Sequence, residues 1–255
     1  MSERQKICWV VDLGIAAYGP ASDLQRRLVA ARKANILPDV LLLCEHPHVI
    51  TLGRNGHSEN LLASEHLLRQ MGLEFHVTDR GGDITYHGPG QIVGYPILDL
   101  AAIRRDVAWY LQQLEVAMIR ATAEFGIAAV RKPGMTGVWV ELSAGQGDKA
   151  APEKLAAIGV HLSRWVTSHG FAYNVSTDLR YFDLIVPCGI PDKRATSLER
   201  LLGRTVGREE VAPRIVACLG QVLGRDMQIV SREFLERTLE ESTPEHGVAA
   251  TQATA

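Results

Sequence analysis

The sequence predicts an α+β fold, in which helices flank a mixed or antiparallel sheet. Segments with the spacing of strands and segments with the spacing of helices interleave irregularly along the 255 residues. Strand-like segments in the middle of the chain follow one another at the short spacing of hairpins. The last part of the chain is mostly helical. A doubly wound sheet would instead place a helix between successive strands, so these observations favour α+β.

The composition limits the possible functions. Hydrophobic residues make up 46% and charged residues 22%, as in ordinary globular domains that bury a substantial core. The net charge of -2 removes the electrostatic argument for a general nucleic-acid binder. No apolar segment reaches the length needed to cross a bilayer, and the first residues do not resemble a signal peptide. A cytoplasmic protein is expected.

Apolar segments bounded by glycine, proline or polar residues predict the strands. They cover residues 8–14, 40–45, 49–52, 75–77, 92–95, 128–130, 137–140, 154–162, 170–175 and 184–186. Residues 163–169 are expected to link two of these strands. Residues 143–153 are polar, contain glycine and proline, and predict a loop.

Helices are predicted where apolar residues recur near every 3.6 positions. The clearest pattern covers 107–125 and ends before Gly126. Ser64 and Gly72 are typical start and stop residues for a short helix over 64–71. The other predicted helices cover residues 18–33, 197–202, 208–223 and 232–240.

One loop combines many turn residues with many polar side chains. Its glycines allow positive φ angles or close approach of the backbone to a ligand. A simple connection needs turn residues but not this number of donors and acceptors, so a ligand-binding loop is favoured over a structural turn. The loop reads Arg80-Gly81-Gly82-Asp83-Ile84-Thr85-Tyr86-His87-Gly88-Pro89-Gly90-Gln91.

The four cysteines differ in their surroundings. Cys8, Cys44 and Cys218 lie in apolar segments and are expected to be inert. Because the chain has no C-x-x-C pair, a disulfide framework or a zinc site is not expected. Cys188 stands between Pro187 and Gly189 at the end of the predicted strand 184–186. The Gly189 N–H could serve as an oxyanion donor there, although these residues alone leave catalysis and a structural role equally open.

A nucleophilic cysteine requires a base or a nearby cation. His87 and His169 are available as bases. Lys154 is a third candidate, because it begins the apolar segment 155–160 and partial burial would lower its pKa. Most lysines at the start of a strand only reach solvent, so the choice stays open at this point.

Four blocks of the sequence resemble the lipoyl(octanoyl) transferases. Residues 80–91, followed by Tyr95-Pro96, resemble the signature of that family. Residues 45–54 resemble the segment before the signature, and 154–159 resemble the strand with the family's lysine. Residues 170–175, together with Pro187-Cys188-Gly189, resemble its cysteine region. The blocks keep the family's order, and the similarity covers about residues 8–225.

The resemblance implies the fold of lipoate- and biotin-protein ligases, with a catalytic domain over 1–225. The pattern of the remaining residues predicts a helical extension over 226–241, and the small polar composition after it predicts a disordered tail over 242–255. The resemblance implies that Cys188 is the acyl-thioester nucleophile and that Lys154 lowers the Cys188 pKa and shuttles protons. His87 then becomes a binding residue. The implied substrate-binding residues are Arg80, Gly81, Gly82, Asp83, Ile84, Thr85, Tyr86, His87, Ala157, Ile158, Gly159, Gly170, Phe171 and Ala172.

The implied reaction moves an octanoyl group from octanoyl-acyl carrier protein to a lysine of a lipoyl domain. The acceptors would be 2-oxoacid dehydrogenase E2 subunits and the glycine cleavage H protein. Neither ATP nor a metal is expected, and no nucleic acid or membrane is expected as a partner. Three alternatives stay open: an ATP-dependent lipoate or biotin ligase, a cysteine hydrolase, and a non-catalytic acyl- or carrier-binding module.

Overall fold

The computed structural model describes residues 6–141, 151–186 and 194–241. Within these ranges the chain forms eleven strands. They are β1 (Ile7–Ile15), β2 (Asp39–Glu45), β3 (Val49–Leu52), β4 (Glu74–Val77), β5 (Ile84–His87), β6 (Gln91–Ile97), β7 (Ala129–Lys132), β8 (Met135–Val140), β9 (Glu153–Ser163), β10 (Val166–Asn174) and β11 (Asp226–Ile229).

Seven α-helices and two short 3-10 helices accompany these strands in the same ranges. The α-helices are α1 (Tyr18–Lys33), α2 (Glu65–Gln70), α3 (Leu100–Ile103), α4 (Val107–Ala123), α5 (Leu198–Leu202), α6 (Arg208–Leu223) and α7 (Arg232–Glu241). The 3-10 helices cover Ser58–Asn60 and Leu179–Leu184. No described helix has the length and apolarity needed to cross a membrane.

Eight strands form one mixed sheet in the order β11-β1-β2-β6-β10-β9-β8-β7. The pairs of β1 with β11 and with β2 are parallel, and the pairs from β2 to β7 are antiparallel. A smaller sheet has the order β4-β3-β5. The predicted α+β class with a mixed sheet is confirmed.

Both faces of the large sheet are covered. Alternate residues of β2 show this directly: Leu41 joins one core cluster with helices α4 and α6, while Leu42 joins another with α1 and α7. A strand that is buried on both faces needs a continuous apolar segment, as in the sequence of β2. A third cluster, which includes Ile50 and Tyr86, lies beneath the small sheet.

A buried charge cluster connects distant parts of the chain. The carboxylate of Asp39 on β2 accepts hydrogen bonds from Nε of Arg32 (2.8 Å) and from Nε of Arg225 (2.7 Å). It also accepts one from the backbone N–H of Asp99 (3.0 Å). Asp39 is 1% exposed. The end of α1, the start of α3 and the link from α6 to β11 therefore meet at one carboxylate.

Helices α1 and α6 and strand β3 have the predicted bounds, but several other predictions are wrong. Residues 184–186 do not form a strand: a 3-10 helix continues through Leu184, and Ile185 makes a single bridge to Leu61. The expected link over 163–169 is mostly strand. β9 and β10 are joined by Arg164 and Trp165, which have φ of 53° and 67° without the usual glycine or asparagine.

Two strands were missed. β5 lies inside the glycine-rich loop, and β11 follows residue 225, where helix was expected. β11 is a four-residue edge strand, too short to show a clear period. The separation of residues 1–225, 226–241 and 242–255 into units stays a prediction, and the tail 242–255 lies outside the described residues. Most of the predicted 143–153 loop also lies outside them.

Candidate active site

A cavity of about 350 Å³ is lined by residues from both sheets. Its size is in the range of small-molecule sites. Lys154 and twelve of the fourteen predicted binding residues line it. The twelve are Arg80, Gly82, Asp83, Ile84, Thr85, His87, Ala157, Ile158, Gly159, Gly170, Phe171 and Ala172.

Small residues on adjacent strands leave room for the cavity over the large sheet. Ala172 on β10 pairs with Ala157 on β9, and Gly170 pairs with Gly159. A Cβ atom on Gly159 would lie 2.6 Å from the backbone oxygen of Gly81, so the glycine-rich loop packs directly on that position. A side chain on Gly159 would therefore displace the loop.

The glycine-rich loop is fixed at several points. Arg80 is buried, and its Nη2 donates to the backbone oxygen of Thr51 (2.6 Å) and to Oγ1 of Thr51 (2.9 Å). The Gly81 N–H donates to the backbone oxygen of Val160 (2.8 Å). Nε2 of His169 lies 2.7 Å from Oδ1 of Asp79, the residue before the loop. The loop is thus a preformed wall of the cavity.

His87 is held as a neutral imidazole. Nδ1 lies 2.8 Å from Oε1 of Gln91, an oxygen that only accepts, so Nδ1 carries the proton. Nε2 lies 3.4 Å from the hydroxyl of Thr51. Burial, with smaller contributions from the neighbouring charges, lowers the His87 pKa to about 3. A group with this pKa is a poor base at neutral pH, in agreement with a binding role.

Lys154 is half-buried on β9. Its Nζ lies 4.7 Å from the ring centroid of Trp139, within the range of a cation–π contact. The Trp139 ring is fully buried and fixed by a hydrogen bond from Nε1 to the backbone oxygen of Met135 (2.9 Å). A contact of this kind attracts a charged ammonium, and Lys154 lies at the wall of the cavity. A positive charge there would stabilise a nearby thiolate.

Cys188 lies outside the described residues, which stop at Val186 and resume at Arg194. The Val186 N–H donates to the backbone oxygen of Asn60 (2.8 Å). On the other side, the Lys154 N–H donates to the backbone oxygen of Arg194 (2.8 Å), and Ala195 bridges to Lys154. Arg194 and Ala195 also line the cavity.

Gly81 and Tyr86 are not among the described lining residues. The alternation of β5 turns Thr85 and His87 toward the cavity and places Tyr86 in the core beneath the small sheet. There Tyr86 stacks on Tyr181 at 5.0 Å between ring centroids. Tyr86, an implied substrate-binding residue, therefore packs in this core and is not among the described residues that line the cavity.

Several lining residues were missed because they lie in elements without a polar motif. Tyr18 begins α1, Tyr95 lies on β6, Trp139 lies on β8 and Phe182 lies in a 3-10 helix. Trp139 could have been found only from the pairing of β8 with β9, which places Trp139 opposite Lys154.

The other cysteines are buried, as predicted: Cys8, Cys44 and Cys218 are all free thiols. Burial raises the pKa of Cys44 to about 12 and also raises the pKa of Cys8 and of Cys218. Within 6–141, 151–186 and 194–241, no group of three or more His, Cys, Asp or Glu side chains is placed as metal ligands.

Comparisons with known proteins agree with this geometry. The family model for the lipoyl protein ligase A/B catalytic domain matches residues 17–220. A bi-partite lipoate protein ligase from Thermoplasma acidophilum has a similar fold, with a TM-score of 0.70 at 14% identity over 92% of this chain and 91% of that one. A lipoate-protein ligase A bound with ATP gives a TM-score of 0.67 at 14% identity over 93% of each chain.

The chain belongs to the lipoyl protein ligase A/B catalytic domain family. Within it, the chain is similar to the octanoyltransferases of Solibacter usitatus and Caldicellulosiruptor saccharolyticus. The first is 52% identical over 86% of this chain and 94% of the relative, and the second is 43% identical over 92% and 96%. These relatives confirm the resemblance to the lipoyl(octanoyl) transferases and, with it, the prediction of an acyltransferase that acts in protein lipoylation.

Proposed function

We propose that this enzyme moves an octanoyl group from octanoyl-acyl carrier protein to the ε-amine of a lysine on a lipoyl domain. A thioester on Cys188 would be the intermediate. The observation that carries the proposal is the placement of Lys154 at a cavity lined by small and apolar residues, such as Ala157 and Ala172. Its backbone pairs with residues that follow Cys188 closely in the chain.

In the first half of the reaction, the Cys188 thiolate attacks the carbonyl carbon of the donor thioester. The new S–C bond forms as the bond to the carrier sulfur breaks, and the carrier thiol leaves with a proton from the Lys154 ammonium. Lys154 becomes a neutral amine. Because one thioester replaces another, this exchange needs no external energy source.

In the second half, the lysine amine of the acceptor attacks the acyl-enzyme. An amide N–C bond forms, the S–C bond to Cys188 breaks, and the neutral Lys154 accepts the proton that the attacking nitrogen loses. The enzyme returns to a thiolate beside an ammonium. Amide formation from a thioester is downhill, so the proposal requires neither ATP nor a metal.

The glycine-rich loop would bind the acyl chain and orient it. His87 and Arg80 would not act as bases, because both already make buried hydrogen bonds that fix the loop. Residues 157–159 and 170–172 would line the acyl site from the side of the large sheet. Because glycine and alanine have the smallest side chains, a site lined by them suits an unbranched acyl chain.

The proposed acceptors are the lipoyl domains of 2-oxoacid dehydrogenase E2 subunits and of the glycine cleavage H protein. Octanoyl-acyl carrier protein is the proposed donor. The names of the relatives support the octanoyl group. The cytoplasmic location stays a prediction.

An ATP-free transfer assay tests the proposal. The protein is mixed with octanoyl-carrier protein and an unmodified lipoyl domain, and the mass of the domain is followed. One added octanoyl group without ATP is expected. A requirement for ATP and free octanoate would instead indicate a ligase, and release of octanoate in the presence of the acceptor would indicate a hydrolase.

A further inference from the structure

We propose that Asn174 is a positioning residue for the transfer reaction. Its side-chain amide holds the backbone of residues 194–196 beside Lys154 and connects that contact to the glycine-rich loop. The inference rests on the proposed function, because it assigns Asn174 a role in placing Lys154 for proton transfer.

Asn174 ends β10 and is 4% exposed. Its Nδ2 donates to the backbone oxygen of Thr196 (2.9 Å), and its Oδ1 accepts from Nε2 of Gln91 (2.9 Å). These two bonds use both ends of the amide. The Asn174 side chain thus bridges the loop on one side and the segment that follows Cys188 on the other.

The bond to Thr196 acts on Lys154 through the backbone. The Thr196 N–H donates to the backbone oxygen of Lys154 (2.9 Å), and the Lys154 N–H donates to the backbone oxygen of Arg194 (2.8 Å). Both backbone hydrogen-bonding groups of Lys154 therefore pair with the segment 194–196. The Asn174 side chain is hydrogen-bonded to that same segment.

The other end of the bridge reaches the cavity wall. Oε1 of Gln91 accepts from Nδ1 of His87 (2.8 Å), so hydrogen bonds continue from His87 through Gln91 and Asn174 to Thr196. Gln91 is 1% exposed and His87 is 7% exposed. Buried hydrogen bonds of this kind fix side chains strongly, because a broken bond leaves a polar group without water.

The variant Asn174→Asp tests the positioning role. Aspartate has the same shape and still accepts from Gln91, but an ionised carboxylate cannot donate to the Thr196 oxygen and is repelled by it. We expect kcat for octanoyl transfer to fall on the order of 10- to 100-fold, because small misplacements of a reacting group have effects of this size. Asn174 also lines the cavity, and aspartate fills the same space, so the KM for octanoyl-carrier protein should stay within about threefold.

The neighbouring Tyr173→Phe variant is the matched control. The Tyr173 hydroxyl lies 2.9 Å from Oγ1 of Thr122 in the core on the opposite face of β10, away from the cavity. Its removal also deletes one buried hydrogen bond of the same strand, and kcat should stay near that of the wild type. Asn174→Ser is a second test variant, because the serine side chain is too short to reach Thr196. We expect it to show the same loss of kcat as Asn174→Asp.

A second readout separates positioning from a loss of folding. The pH dependence of Cys188 alkylation is measured in each folded variant. We expect the pH midpoint of alkylation to rise in the Asn174 variants, because a displaced Lys154 no longer favours the thiolate. In Tyr173→Phe this pH midpoint should stay unchanged. Wild-type kcat and midpoint in both Asn174 variants, or equal losses in Tyr173→Phe, would overturn the inference. A wild type without any transfer activity would instead refute the proposed function.

Discussion

Lys154 is half-buried at the wall of the cavity, and its ammonium lies 4.7 Å from the ring centroid of Trp139. A cation–π contact of this kind attracts the charged form of a lysine. Proton transfer during the proposed reaction requires a group that can exist in both forms. The sequence showed only a lysine before an apolar segment, and the aromatic partner became visible through the pairing of β8 with β9.

Removal of the Lys154 amine should slow the chemical step. We expect Lys154→Ala to lower the single-turnover rate of octanoyl transfer by about 10²- to 10⁴-fold, the usual contribution of a positioned acid or base. The measurement is rapid mixing of octanoylated enzyme with the lipoyl domain. Lys33→Ala is the control, since Lys33 on α1 bonds to Oγ of Ser163 and does not line the cavity. A rate for Lys154→Ala within a few-fold of the control would contradict the assignment.

His87 should make stability depend on pH. Its pKa in the folded protein is about 3, below the value of about 6.5 in an unfolded chain. Between these values the unfolded state binds more protons, so stability is full above about pH 6.5 and falls as the pH falls toward 3. We expect His87→Gln to flatten this dependence by up to about 1.4 kcal/mol per pH unit.

Urea unfolding at several pH values between 6.5 and 4 measures that slope. His66→Gln, which changes an exposed histidine on α2, is the matched variant and should keep the wild-type slope. An unchanged slope in His87→Gln would show that His87 is not held neutral by burial.

At the scale of elements, the glycine-rich loop and β9 form one unit. Gly81 donates to Val160, and the backbone oxygen of Gly81 occupies the space that a side chain on Gly159 would need. The loop motif and the small residues of β9 were both visible in the sequence. Their direct packing was not, because it depends on contacts between residues nearly eighty positions apart.

A methyl group added at Gly159 should displace the glycine-rich loop. A Cβ on Gly159 would lie 2.6 Å from the Gly81 oxygen and 3.3 Å from Cδ of Arg80, so the backbone of the loop must move. We expect Gly159→Ala to cost about 1–3 kcal/mol of unfolding free energy, as overpacked sites do, and to raise the KM for octanoyl-carrier protein. Thermal unfolding and steady-state kinetics measure the two effects.

Gly19→Ala is the control for that substitution. Gly19 lies in the first turn of α1, and its added Cβ would meet no atom within 4 Å. Alanine favours helices, so a neutral or slightly stabilising effect is expected. Equal behaviour of the two variants would contradict the close packing of the loop on β9.

The elements that were predicted correctly are those whose own residues carry a clear pattern. The helical spacing of apolar residues in α6 and the continuous apolar segment of β2 are both visible in the local sequence. The number of polar side chains in the glycine-rich loop indicated a binding site. Strand β11 depends on long-range pairing with β1, and the position of Tyr86 depends on strand alternation in β5. The turn at Arg164 is local, but its positive φ angles occur without glycine or asparagine. Neither a short edge strand nor a turn without glycine leaves a local signal.

At the scale of the whole molecule, Asp39 connects the N-terminal and C-terminal parts of the fold. It is buried with Arg32 from α1 and with Arg225, which precedes β11. Burial of these charges is tolerated because each side of the carboxylate is hydrogen-bonded. These ion pairs therefore connect the start of β11 to β2.

Loss of the Asp39 charge should destabilise the whole fold. Asp39→Asn removes the counter-charge of the buried Arg225 guanidinium and leaves Arg32 only its longer ion pair with Asp99 (3.5 Å). We expect the free energy of unfolding to fall by about 3–5 kcal/mol. Asp23→Asn is the matched variant, because Asp23 pairs with Arg26 on an exposed face of α1. Its effect should be about 0–1 kcal/mol. Chemical denaturation measures both, and equal effects would refute a special role for Asp39.

In the proposed reaction, Cys188 carries the octanoyl group as a thioester. Intact-mass spectrometry after mixing with octanoyl-carrier protein, without acceptor or ATP, tests it most directly. We expect one added octanoyl group that hydroxylamine removes, and no thioester adduct on Cys188→Ser. The buried Cys8, Cys44 and Cys218 should stay unmodified. A thioester adduct that persists in the variant without Cys188, or the absence of any adduct on the wild type, would show that Cys188 does not carry the octanoyl group.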